Sequence, residues 1–561
     1  MRITRHFVTV GSRRVHYLRA GSGPAVTLLH ASPCSAKVMR PIMRAFGEKF
    51  TTIALDTPGF GLSDKLPIAA PSVEDFADAL AKTLDALGVE HTATYGRHTG
   101  ASIAVEFAAR HPERCAMALA DGYAVFAQRY TDEQLERYLE RIEPAWDGAH
   151  LLRLWFRYRD QHVFWPWNNQ TAAARSDADV PDLDFLHRGV VELLEAGDDY
   201  RIGYAAPFRH RGLEVLPDLK VPVCFGNRPG DSMYLTRSLY PPSAWTEAMP
   251  REFAAATLAE RAILAQHPAR GTPPEAPRCA ALPGRSTTDY VDIGGTQVLV
   301  RAVGQLDGAT EPLLVIHHAP GSSALYDPLL LELGRSRAVF ALDLPGHGES
   351  DPLPGNPQDP GNWAASVERL LDRLHIRELR IYGHNGGAAA AAECAHRLGS
   401  RVRGIALDAP CFLADEDRAR LASCYAPPVA PVWEGSHWLR AWHHLRDSEL
   451  WWPWFDRTHR AGRAAAPRID PQALTLRVRE AMKQPDSYRA AWEASLGYAW
   501  RDRLAGIRAP VLLMAAPEDV FAHLLPGVQA SVPRASTATI DDSAASRAQA
   551  LAQWAHAGEG R

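Results

Sequence analysis

The sequence predicts an α/β protein built as two tandem domains, each a mostly parallel, doubly wound sheet carrying a helical cap. Three observations predict it. One set of residues recurs 287 positions apart, pairing His30 with His317, Asp56 with Asp343, Gly96 with Gly383, Asp121 with Asp408 and Trp167 with Trp454 (317 − 30 = 287). A register kept over that span marks a duplication. In each half, short apolar runs bounded by turn residues alternate with helical periodicities, the pattern of parallel strands and crossover helices. Finally, a glycine-flanked turn between an apolar run and an alanine-rich helix appears twice, at Tyr95, Gly96, Arg97, His98, Thr99, Gly100 and at Tyr382, Gly383, His384, Asn385, Gly386, Gly387.

The elements follow in order. Residues 7–10 and 15–18 read as an opening hairpin and 25–30 as a buried parallel strand. Strand 52–56 leads into a glycine-rich loop, and 72–87 reads as a helix behind a Ser72 cap with an acidic first turn. Helix 101–110 follows the turn, and strand 115–121 ends on Asp121, at the carboxyl edge where functional residues of open α/β sheets collect. Strand patterning then stops over 122–217 and again over 411–505, which read as helical caps, before the strands 221–227 and 509–515. Domain 1 is expected over 1–266 and domain 2 over 289–556. Between them lies a linker, 267–288, interrupted by Pro268, Pro273, Pro274, Pro277 and Pro283.

Composition narrows the function classes. An apolar fraction of 46%, a charged fraction of 22% and a net charge of −4 are those of a globular protein with no polyanion partner, so nucleic acid is not expected. No signal-peptide core opens the chain, and no uncharged apolar run approaches the roughly 18 residues that span a bilayer, so no membrane contact is expected. The seven cysteines are scattered and without C-x-x-C spacing, which points to reduced thiols and a cytoplasmic compartment.

A strand ending in Asp56, then Pro58, Gly59, Gly61, Ser63 and Asp64, then one helix and the turn at His98, resembles the α/β-hydrolase family. Asp343, Pro345, Gly346, Gly348, Ser350 and Asp351 repeat the motif before Asn385. The resemblance implies a hydrolase of small organic esters, amides or carbon–carbon bonds without a cofactor. In that family the centre of the turn is the serine of a G-x-S-x-G elbow. Here it is His98 in one copy and Asn385 in the other. His30 and Ala31, and His317 in the second copy, stand where the family takes one oxyanion-hole N–H. The family's acid falls at Asp121 or Asp231, and at Asp408 or Asp519 in the second copy. Its histidine has no counterpart at 248–253 or 539–543. The Ser-His-Asp acyl-enzyme route is thus closed.

What remains rests on the central residues. Both suit a left-handed backbone, where histidine and asparagine are enriched. His98 stands at a helix N-terminus, which disfavours an imidazolium and suits a general base or nucleophile, with Asp121 or Asp231 fixing its tautomer. Asn385 neither titrates nor attacks, so domain 2 is expected to be mainly non-catalytic. In the caps, Arg159, Asp160, Trp165 and Trp167 are answered by Arg446, Asp447, Trp452 and Trp454. The tryptophans read as cap core, as walls of a pocket for an apolar or aromatic ligand, or as both, with Arg159 and Asp160 fixing polar groups. His30 reads as a loop anchor or a substrate contact. No metal-ligand spacing is present, and no metal is expected. Two functions stay open: an enzyme acting on a small apolar or aromatic substrate through His98, and an inactive pseudo-hydrolase that binds a ligand or serves as a scaffold. Either way the expected partner is a small molecule, with intramolecular pairing of the repeats and homo-oligomerisation as further expectations.

Overall fold

The structure is a computed structural model that describes residues 1–126, 128–306, 308–309 and 311–559. It divides into two compact units, one of Met1–Glu143 and Arg153–Ala280, the other of Pro144–Leu152 and Ala281–Arg561. The division after Ala280 falls inside the proline-rich stretch. Pro144–Leu152, which the sequence places in domain 1, groups with the second unit, a tertiary association that no local pattern of the stretch signals.

The first unit holds one sheet of β1 (Thr4–Val10), β2 (Arg13–Ala20), β3 (Ala25–Leu29), β4 (Thr51–Leu55), β5 (Thr92–Arg97), β6 (Cys115–Asp121), β7 (Val223–Asn227) and β8 (Trp245–Ala248). Its order is β1-β2-β4-β3-β5-β6-β7-β8, antiparallel across β1, β2 and β4 and parallel beyond. The second unit repeats that order with β9 (Thr287–Asp292), β10 (Gln297–Val303), β11 (Leu313–Ile316), β12 (Val339–Leu342), β13 (Leu379–His384), β14 (Val402–Asp408), β15 (Val511–Ala515) and β16 (Ser536–Thr539). Strands β3, β4 and β11 are buried along their whole length, which is why they read as continuous apolar runs rather than alternations.

Crossover helices cover both faces. The helix Val73–Ala86 starts at a capping box in which Ser72 and Asp75 satisfy each other's backbone N–H groups. Asp56, at the end of β4, accepts from the N–H groups of Ala36 at 2.7 Å and Leu62 at 2.8 Å, tying together the loops after β3 and β4. Asp343 does the same through Ser323 at 2.7 Å and Glu349 at 2.8 Å. Because the chain runs from β3 to β4 on one side and then to β5 on the other, the sheet reverses between β3 and β5. Open α/β sheets place their ligand crevice at such a reversal, outside the carboxyl ends of the strands. Among the described residues, the cysteines are all free thiols, and no helix is long and apolar enough to cross a membrane.

One buried carboxyl pair separates the units chemically. Ser35 Oγ donates to Glu192 and Ser322 Oγ to Glu480, each at 2.5 Å. Burial pushes Glu192 up to about 7, against the pull of Lys37 and Ser35. Glu480 is as buried, yet Lys483 and Arg479 hold it down at about 2. Glu192 therefore binds its proton in the folded state from its unfolded value near 4.3 up to about 7, so the fold loses stability as pH rises through that window. Glu192→Gln is expected to abolish a loss on the order of 3 kcal/mol between those limits. Denaturant unfolding followed across that pH range checks it, and parallel curves for variant and wild type would contradict the assignment.

Candidate functional site

Both turns sit at the crevice, with His98 after β5 and Asn385 after β13. His98 has φ 48° and ψ −109°, and Asn385 has φ 48° and ψ −115°. The positive φ agrees with expectation, but ψ lies outside the left-handed helical region and matches the first central position of a type II′ turn. The conformation is imposed by how tightly strand and helix pass. A Cβ on Gly96 would come within 2.1 Å of the Gly100 carbonyl oxygen, and one on Gly100 within 2.2 Å of the Leu29 oxygen. Gly383 and Gly387 are confined in the same way, at 2.3 Å and 2.4 Å from backbone oxygens.

The sequence leaves Asp121 and Asp231 as alternative partners for His98, and the structure pairs it with Asp231. His98 Nε2 lies 2.8 Å and 3.0 Å from the two carboxylate oxygens. Asp231, just after β7, also accepts from the Met233 N–H at 2.8 Å and faces the Arg97 guanidinium at 3.7 Å. Burial works against its charge, but His98, Arg97 and the Met233 N–H outweigh burial and hold the carboxyl well below the usual range. An ionised Asp231 accepts only, so Nε2 carries a hydrogen toward it, and in the neutral ring Nδ1 keeps its lone pair. Nδ1 has no hydrogen-bond partner among the described residues, and the side chain is 32% exposed.

Gly122 makes room for this pair. Its φ is +67°, and a Cβ there would come within 2.6 Å of His98 Cδ2 and 2.9 Å of Nε2. The corresponding residue of the second unit is Ala409, at φ 47°, whose carbonyl accepts from Asn385 Nδ2 at 2.9 Å. A methyl group fits there because the amide is shorter than the imidazole.

The Asp121 carboxylate has other partners. It pairs across the strands with Arg97, whose Nε is 2.9 Å away, and meets Tyr95 Oη at 3.2 Å and Arg228 at 3.4 Å. Arg97 and Asp121 are register partners of parallel strands, so they share a face that His98, one residue on, does not. It is the Asp121 backbone carbonyl that meets His98, accepting its N–H at 3.0 Å. Asp408 is held likewise by Tyr382 Oη at 2.6 Å and Arg547 at 2.8 Å.

His30 is buried and held within its loop. Its Nδ1 donates to the Ala31 carbonyl at 3.0 Å and its Nε2 accepts the Thr57 N–H at 2.9 Å, which uses both nitrogens. His317 repeats this with the His318 carbonyl at 2.7 Å and the Leu344 N–H at 2.9 Å. The cap tryptophans divide. Trp167 is buried in the cap and Trp454 half-buried, with their indole N–H groups on the Tyr138 and Tyr425 carbonyls at 2.9 Å and 2.7 Å. Trp165 stacks on Phe208 and Trp452 stands edge-on to Phe521, both partly exposed. Arg159 pairs with Asp160 at 2.9 Å and Arg446 with Asp447 at 2.8 Å, so each couple is charge-compensated within the cap.

Three residues near the turns carry no sequence signal beyond their neighbourhood. Arg97 links Asp121 to Asp231. His162, between Asp160 and Trp165, is pushed down to about 4 by burial and by the nearby charges of His98, Arg157 and Arg97, and its Nε2 is buried without a hydrogen-bond partner among the described residues. In the second unit, His384 Nε2 lies 3.0 Å from Asp519, which Asn385 also approaches at 3.3 Å. Among the described residues, one trio has donor atoms close enough to share a metal ion, Glu74, Glu106 and His210. None of the three belongs to either turn.

The family described as alpha/beta hydrolase fold matches residues 24–190 and 311–428. A 2-(acetamidomethylene)succinate hydrolase of Mesorhizobium japonicum is 30% identical over 135 residues, 23% of this chain and 48% of the relative. A soluble epoxide hydrolase of Corynebacterium sp. is 35% identical over 106 residues, 19% of this chain and 37% of the relative. The chain thus spans less than half the length of these curated relatives. Among solved structures, the enol-lactonase from Burkholderia xenovorans LB400 aligns over 48% of this chain and 100% of its own, with 20% identity and a TM-score of 0.36.

Proposed function

This chain belongs to the alpha/beta hydrolase fold family, and on that premise we propose that its first unit hydrolyses a small apolar or aromatic ester or amide with His98 as general base. The observation that carries this reading is the Asp231 carboxylate 2.8 Å from Nε2, which leaves Nδ1 as the basic nitrogen at the mouth of the crevice. Nδ1 takes a proton from water as the hydroxide adds to the substrate carbonyl. Charge developing on the carbonyl oxygen is received by backbone N–H groups at the start of the helix Thr99–Arg110 and in the Ala31 loop, the positions this family uses. The imidazolium, stabilised by Asp231, then returns its proton to the leaving group. No covalent intermediate is needed. Trp165 and His162 are the cap residues suited to wall the acyl or leaving group.

His98→Gly tests this, since glycine tolerates the positive φ and opens a space the size of the ring. With p-nitrophenyl acetate as probe and the whole chain, turnover is expected to fall by about 10²–10⁴-fold and to recover in part when imidazole is added. Unchanged turnover would take His98 out of the reaction and leave the alternative, a ligand-binding protein without catalysis.

A further inference from the structure

The second unit contains a hydrogen-bonded row of four titratable side chains that the hydrolysis assigned to the first unit does not use. Asp519 is buried, and although burial opposes its charge, His384 and the Phe521 N–H hold it at about 2. It is therefore ionised, and His384 Nε2, 3.0 Å away, carries a hydrogen toward it. His384 Nδ1 is then an acceptor, and the Tyr326 hydroxyl donates to it at 2.7 Å. The Tyr326 oxygen in turn accepts from the His318 N–H at 3.1 Å and from His318 Nδ1 at 2.9 Å. With both imidazoles neutral, this charge sets the hydrogens along the row and leaves a lone pair on His318 Nε2. That nitrogen has no hydrogen-bond partner among the described residues, and His318 is partly exposed. Gly321 leaves it room, since a Cβ there would come within 2.9 Å of it.

The fold does not require this row. At the corresponding positions, 287 residues earlier, the first unit builds the same loop and turn with Ala31, Met39 and Arg97 (318 − 287 = 31, 326 − 287 = 39, 384 − 287 = 97). We propose that the loop after β11 and the turn at Asn385 form a second, serine-free site, in which His318 removes a proton from a phenolic or enolic hydroxyl. As the ligand O–H bond breaks, its proton joins His318 Nε2. The Nδ1 proton passes to the Tyr326 oxygen while the Tyr326 hydroxyl proton passes to His384 Nδ1. His318 and Tyr326 end neutral, His384 ends as an imidazolium beside the Asp519 carboxylate, and the ligand ends as an anion.

Two features favour this class over acyl transfer. The loop N–H that the family aims at an oxyanion, that of His318, is engaged on Tyr326, and the Asn385 amide is engaged on the Ala409 carbonyl. A tetrahedral oxyanion would find fewer donors than in the first unit, so an anion formed here must be stabilised by its own conjugation. The row also solves a local difficulty. Burial, with His384, His317 and Arg477 nearby, pushes His318 well below the usual imidazole range, so a proton kept there is disfavoured, whereas one moved on places the charge 3.0 Å from Asp519.

p-Nitrophenol serves as the probe, added to the whole chain at a pH where the free phenol is mostly protonated. Wild type and His98→Gly are expected to show a saturable rise of the phenolate band, and Tyr326→Phe and His318→Gln to lower it about tenfold. No saturable rise in the wild type, its survival in both second-unit variants, or its loss in His98→Gly would overturn the proposal. Nitrogen NMR of the unliganded wild type gives an independent readout: His318 should carry its hydrogen on Nδ1 and His384 on Nε2, and the reverse tautomers would overturn it equally. Failure of the first-unit reading is seen separately, as ester turnover indifferent to His98.

Discussion

Asp231→Asn is expected to lower ester hydrolysis by about 10⁴-fold while the fold survives, the size of loss found when a histidine base is held in the wrong tautomer. The carboxylate accepts from His98 Nε2 at 2.8 Å and so keeps the opposite nitrogen bare. A carboxamide at the same place can donate instead, which moves the ring hydrogen to Nδ1 and removes its lone pair. The measurement is kcat on a chromogenic ester with circular dichroism as the control for folding. A loss below about tenfold would mean that Asp231 only orients the ring. The same variant has a signature in stability. Asp231 is held below its unfolded value near 3.9, so its contribution is complete above that pH and is lost as pH falls through the folded value. Removing the charge should flatten the acid limb of the unfolding curve.

Gly100→Ala is expected to destabilise the protein by about 3–5 kcal/mol, at the upper end for a single methyl group. The added carbon would lie 2.2 Å from the Leu29 oxygen and 2.9 Å from the His30 oxygen, and both are backbone atoms at the centre of the sheet. No flexible side chain can yield there, so either β3 or the helix Thr99–Arg110 must shift. Gly197→Ala is the control: its φ of +57° makes an alanine strained, but nothing lies within 4 Å of the added carbon. That variant should cost only about 1–2 kcal/mol. Equal denaturation midpoints for the two variants would rule out the close passage beneath the turn.

Much of this architecture is legible without coordinates, and the legible part shares a physical origin. The continuous apolar run of β3 reports burial on both faces, Ser72 and Asp75 report a capped helix start, and the doubled Asp-x-Pro-Gly pattern reports the loop that Asp56 and Asp343 pin. Each of these is a local preference of the backbone, so spacing along the chain is enough to reveal it. The positive φ at His98 and Asn385 belongs to the same class, although the type II′ value of ψ does not follow from residue preference.

The sequence by itself determined the duplication, the two parallel sheets, the turns at their switch points and the absence of serine from both. Tertiary structure alone decided which groups meet. Asp121 ends one strand and Asp231 follows another, yet strand register turns one toward Arg97 while the loop after β7 brings the other to a histidine 133 positions away. His318, Tyr326, His384 and Asp519 likewise form a row only because three separate loops converge at one sheet edge. Hydrogen bonds between distant side chains depend on rotamer, register and loop path together, and none of these leaves a period along the chain.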